Sequence, residues 1–318
     1  MSNKFDIYVI REILKNVDPC TLIRCREVCT SWNREILRMT KLTRKFKYGT
    51  ITFELTNDEF ELKAGRKSYC LQDWNEITLL RMLQNIEPSK TLNLFVHYQT
   101  SKNVFDKFFD GLVKEWCSSV QELEATIAIE QIVDPIKPLR LFPNLTRLSY
   151  SFMNTDTVDC TQIFDRIRNL RYCRLTRFEE FNVEDKDRLV FNEKTLQSIA
   201  ANQEIDTRRL QRLEIYMASV YFKPEDFVEF IARVSKPHPH PSLKDNESIY
   251  EQTDDIETVH ILFDMCCFKL TKTENIINAV VEKADDIMFY GPDCSLRFRQ
   301  VHCRFGDTKF FLMFGQEL

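Results

Sequence analysis

A chain of 318 residues with 44 basic and 48 acidic side chains, a formal net charge of −4, has the length for about two domains. Apolar residues make up 43% and charged residues 29%, ordinary usage for a folded chain, which excludes disorder and collagen-like or fibrous repeats. The mild acidity speaks against nucleic-acid binding driven by overall charge, because phosphate neutralisation needs a clustered cationic surface. Six glycines, at 49, 65, 111, 291, 306 and 315, are too sparse for a Gly-rich phosphate cradle or dinucleotide fingerprint. The GxSxG elbow and the HExxH zinc helix are absent as well. No catalytic residue, metal or cofactor is therefore expected. Eleven cysteines, an odd number scattered along the chain, read as reduced thiols in cytoplasm or nucleus. No apolar run approaches the roughly 18 residues that span a bilayer, so no membrane is expected.

In FDIYVIREILKNVDPCTLIRCREVCTSWNREIL, from Phe5 to Leu37, Ile10, Ile13, Leu14 and Val17 mark one apolar face of a helix. Asp18-Pro19 ends it and starts a second short helix carrying Leu22 and Ile23. Val28, Cys29, Trp32 and Ile36 mark a third. Three helices this short bury too little surface to stand securely alone, which points to a docking module; an amphipathic hairpin packed on the chain's own core is the competing reading.

These residues resemble the F-box family. The opening is Phe5-Asp6, where the family most often has proline in place of Asp6. The aliphatics are Val9, Ile10, Ile13 and Leu14, the step is Val17-Asp18-Pro19, the second helix carries Leu22, and the close is Val28-Cys29-Thr30-Ser31-Trp32. The resemblance implies that Phe5, Val9, Ile10, Ile13, Leu14, Pro19, Leu22, Val28 and Trp32 pack on the Skp-type adaptor of a cullin ubiquitin ligase. It also implies a non-catalytic subunit.

A basic stretch, RMTKLTRKFKYG, lacks interleaved aromatics and reads as a solvated helix face, not a nucleic-acid patch. TITFELT and FELKA form a hairpin around Asn57-Asp58. VQELEA, LTRLSY and LRYCRL then begin at 120, 145 and 170, two equal steps of 25 residues. LQRLEI follows at 210, and IETVHI and DDIMFY are weaker copies. The template L-x-x-L-x-L is a short strand, and its period is that of leucine-rich repeats. Helical stripes fall between the strands at 103–117, 163–170 and 224–234, and Thr271 with Glu274 has capping-box spacing before another. DPIKPLRLFP predicts an irregular or 3₁₀ connection. An ordinary α/β domain with chance spacing is the alternative.

The expected fold class is α/β: an N-terminal three-helix F-box over 1–45, then an irregular leucine-rich-repeat-like solenoid over 46–318 with a parallel sheet and outer helices. An insertion is expected near 178–205, a loop over 235–255 containing His238 and His240, and a C-terminal cap over 294–318 with a hairpin turning at Gly306-Asp307. The layout is similar to the large nematode-type F-box families, whose C-terminal domains are regarded as substrate-recruiting. Strand residues that alternate with buried ones face outward, and Arg147, Tyr172, Arg174, Arg212 and Glu214 are the expected target-binding set. The expected function is substrate recognition for an SCF-type ligase. A scaffold that binds the adaptor without ubiquitylating a target is the alternative, and an enzyme whose residues assemble only in space is the other class kept open.

Overall fold

A computed structural model of the chain describes residues 7–17, 19–30, 32–36, 49–57, 59–65, 67–72, 79, 83, 86, 89–112, 117–129, 133–153, 157–177, 189–205, 210–235, 257–292 and 298–315. Phe5, Asp6, Asp18, the basic stretch up to Tyr48, residues 178–188, the loop with His238 and His240, and Cys294 lie outside the described residues. The chain divides into two compact units, Met1–Gln131 and Ile132–Leu318.

The first unit begins with helices α1 (Ile7–Lys15) and α2 (Pro19–Val28), and residues 32–36 are helical again. Strands β1 (Thr50–Leu55), β2 (Glu59–Ala64) and β3 (Lys67–Gln72) follow, each joined to the next antiparallel. The hairpin read from TITFELT and FELKA is β1 and β2; β3 extends it. β4 (Thr91–Val96) lies parallel to β1, and β5 (Glu122–Ile127) parallel to β4. Between them α3 (Lys102–Gly111) starts where the Ser101 hydroxyl accepts from the Val104 N–H. Its buried Phe108 reaches Phe53 and Phe60 of the sheet, with ring centroids 5.9 and 5.4 Å away. An edge-and-tilt aromatic cluster therefore seals helix to strand.

The second unit repeats one motif: a long strand, a short strand, then a helix. Its helices are α4 (Ile136–Leu139), α5 (Thr161–Phe164), α6 (Glu193–Ile205), α7 (Pro224–Val234) and α8 (Thr273–Lys283). The long strands β6 (Arg147–Phe152), β8 (Tyr172–Arg177), β10 (Arg212–Tyr216) and β12 (Glu257–Asp264) pair in chain order, all parallel. The short strands β7 (Val158–Asp159), β9 (Leu189–Asn192), β11 (Ser219–Tyr221) and β13 (Cys267–Phe268) form a second parallel sheet in the same order. Met217 and Met265, at φ 56° and 53°, stand at equivalent places after β10 and β12. A left-handed residue there turns the chain from one sheet to the other.

DPIKPLRLFP holds only the single turn α4, after which the Leu141 and Phe142 N–H groups bond three residues back, an irregular connection as read from its prolines. Three local expectations are corrected. Residues 189–205, within the expected insertion, build β9 and α6, the regular elements of their own repeat. The last helix is capped at Lys272, not Thr271, whose hydroxyl instead accepts from Asn275 Nδ2 at 3.2 Å. DDIMFY is no parallel copy. It is β14 (Asp286–Pro292), antiparallel to β15 (Arg299–Phe305), which turns at Gly306 into β16 (Thr308–Phe314). β16 then lies parallel to β12 and continues the sheet. Phe222, Phe227, Phe263 and Phe314 meet beneath it, Phe222 and Phe227 stacked at 5.4 Å.

Candidate functional site

The strands of the second unit bury one face. Leu148, Tyr150, Cys173, Leu175, Leu213 and Ile215 are all sealed, as the period-2 pattern dictates. The opposite face carries a row set by register alone. Arg147 pairs with Tyr172, Tyr172 with Arg212, Arg212 with His260, His260 with Phe311, Phe311 with His302 and His302 with Phe289. Five of the six neighbouring pairs in that row make ring contacts. The Arg147 guanidinium lies 4.6 Å from the centre of the Tyr172 ring, and that of Arg212 lies 5.8 Å from it. The His260 ring stacks on Phe311 at 4.9 Å and 15°, and His302 closes on Phe311 at 4.3 Å and on Phe289 at 5.2 Å.

One step along the strands, Glu214 is 3% exposed, although it belongs to the outward-facing set. Arg212 Nε donates to its Oε1, Arg174 Nε stands 3.6 Å from Oε2, and the Tyr172 hydroxyl donates to Oε2 at 3.4 Å. The Arg174 guanidinium also lies over Tyr216 at 4.9 Å. Partial burial and the Glu214 charge push both tyrosine hydroxyls above their ordinary value. Loss of water around the rings, together with the Arg212 charge at His260, holds both imidazoles below theirs. All five expected target-binding residues thus share one face. Glu214 is the internal anchor of the arginines, and His260, His302, Phe311 and Phe289 complete the row. Of these four, alternation along the sequence marks His260 and His302 as outward-facing, and both stand outside the expected target-binding set.

The N-terminal helices close on a core of their own. Ile10, Leu14, Leu22 and Ile36 are buried together, with Val17, Cys25 and Trp32 packed against them. Arg11 Nε donates to the buried Glu35 at 2.5 Å and ties α1 to residues 32–36, while Arg26 Nε donates to Asn33 at 2.9 Å. Outside this core, Tyr8, Val9, Ile13 and Val28 present large apolar surface, from 46% to 69% exposed.

Residues 4–43 match the F-box domain. Neither the curated proteins nor the solved structures give a match to the chain. An F-box implies binding to a Skp-type adaptor in SCF ubiquitin ligases, and such proteins are typically non-catalytic.

Within the F-box the expected docking set splits by burial. Ile10, Leu14 and Leu22 serve the domain's own core, Trp32 is half-buried against it, and Val9, Ile13 and Val28 face outward. Pro19 opens α2 as expected. Val9 and Ile13 stand one helical turn apart on α1, which places them on a common face. Among the described residues no group of three or more metal-ligating side chains is found, and no helix is long and apolar enough to cross a membrane.

Proposed function

We propose that the chain is a substrate-recognition subunit of an SCF-type ubiquitin ligase. Its three-helix F-box docks on the Skp-type adaptor, and the repeats of the second unit, a leucine-rich-repeat-like arc, hold a protein target on the face of β6, β8 and β10. The F-box match at residues 4–43 carries this reading. The exposed Val9, Ile13 and Val28 beside a closed core support it, because an apolar patch that the domain's own core does not use is suited to a partner. The chemistry takes place on another subunit. Tethering the target raises the effective concentration of its lysines at the charged conjugating enzyme.

The test is co-purification of the full chain with the adaptor. Ile13→Asp, which puts a charge into the apolar contact, is expected to abolish capture while the far-ultraviolet dichroism stays that of the unmodified chain. Capture at full yield by this variant, and by Val9→Asp, overturns the docking assignment.

A further inference from the structure

The row across the second unit's sheet changes chemistry half-way. On β6, β8 and β10 the face carries Arg147, Arg174 and Arg212; the last two hold the single carboxylate of Glu214, and Arg147 lies on the Tyr172 ring. That leaves a local excess of positive charge on a chain whose formal net charge is −4. On β12, β16, β15 and β14 the row itself is aromatic, His260, Phe311, His302 and Phe289, with Met313 beside it, while Thr258, Lys309 and Arg304 stand one place further along the same face. We propose that this face holds an extended acidic segment of the target, with Asp or Glu carboxylates on the three arginines and adjoining apolar residues on Phe311, Met313 and Phe289. The inference rests on the target-binding reading above and adds the chemistry of what is bound.

Three features select this occupant. Glu214 takes the Nε edges of Arg174 and Arg212, whose side chains are 46% and 50% exposed. The forks are therefore fixed from below, and their outer N–H groups remain suited to carboxylates arriving from solvent. The central ring faces are already used: Tyr172 lies between two guanidiniums, and His260 lies flat on Phe311. A nucleobase needs an open ring face on which to stack, whereas a peptide carboxylate needs only donors. Finally, the dimensions fit. With strands about 4.8 Å apart, β6 to β10 spans roughly 10 Å, or about three extended residues, and β12 to β14 spans about 15 Å, or four to five. Charge spread over that distance suits several single carboxylates better than one phosphate, whose oxygens call for converging donors.

Selection of random twelve-residue displayed peptides on the full chain, held through its adaptor, tests the proposal. The expected winners carry two or more Asp or Glu next to apolar residues. Their synthetic fluorescent forms should bind the chain and weaken with added salt. Affinity should fall at least tenfold in Arg174→Gln and in Arg147→Gln; the latter side chain contacts the Tyr172 ring, so its loss leaves the Glu214 pairs in place. Winners without acidic residues that are nonetheless lost in these variants overturn the acidic assignment and leave the target-binding reading standing. Winners indifferent to both variants, with adaptor capture intact, overturn both. Stronger competition by poly-uridine RNA than by the acidic peptide, or a tenfold gain when phosphoserine replaces aspartate, also overturns the carboxylate assignment.

Discussion

Glu214 shows how a side chain on the outward side of a sheet becomes internal. Alternation along β10 settles which face it takes, but its depth comes from Tyr172 and Arg174 on β8 and from Arg212 two residues away, which close over it. Removing the carboxylate leaves two guanidiniums that can still turn to water, so the loss is smaller than for a sealed pair. Glu214→Ala is expected to cost about 1–2 kcal/mol, read as a lowered denaturant midpoint, and to weaken any ligand of Arg174 and Arg212 together. His260 and His302 offer a second check. Both imidazoles are held below their ordinary value of 6.5, by loss of water first and, at His260, by Arg212 and His302, with Glu214 opposing. Folding therefore disfavours their protonated forms. The stability linked to these rings is fully present above about 6.5 and is lost as pH falls through the folded values. Imidazole proton shifts followed by NMR should give midpoints below 6.5 for both, and the His260 midpoint should rise in Arg212→Gln.

In α1 the apolar stripe divides into buried and exposed residues, and spacing cannot separate them. Leu14 is sealed in the F-box core and Ile13 is not. Leu14→Asp is therefore expected to unfold the N-terminal helices, a loss of dichroism that Ile13→Asp does not share. Elsewhere, periodicity is enough. β5, β6 and β8 begin at 122, 147 and 172, the 25-residue step read from the leucines, because a strand packed on one face must repeat its apolar positions. The short strands of the second sheet stay hidden, since two to four residues cannot display an alternation. Their capping is legible only in part: Asp159 accepts from the Thr161 N–H at 2.9 Å, and Asn192 from the Thr195 N–H at 3.0 Å, each starting a helix directly from a strand. The C-terminal hairpin holds more than its turn. With that turn at Gly306, counting outward pairs His302 with Phe311 and brings both into the row. Gly306 itself has φ 56°, and a Cβ there would meet nothing nearer than the Ser235 carbonyl at 3.7 Å. Gly306→Ala therefore strains only the backbone, and a loss of about 1–2 kcal/mol is expected in thermal unfolding.

On the proposed function the chain holds two partners at once, and the residues assigned to them belong to different units. The F-box core draws on Ile10, Leu14, Leu22 and Ile36 of the first unit, and the arginine row on strands of the second. The two groups have no residue in common. Substitutions at sites with no shared contacts add in free energy, whereas coupled sites depart from additivity by about 0.5 kcal/mol or more. The double variant Ile13→Asp with Arg174→Gln should therefore lose adaptor capture to the same extent as Ile13→Asp alone. It should also bind the selected acidic peptide as weakly as Arg174→Gln alone. Titration of that peptide into the free chain and into the adaptor-bound chain measures the same quantity without mutation, and equal dissociation constants are expected. A tenfold difference between the two would correspond to about 1.4 kcal/mol of coupling and would show that adaptor docking regulates target capture, in which case the F-box is more than a tether.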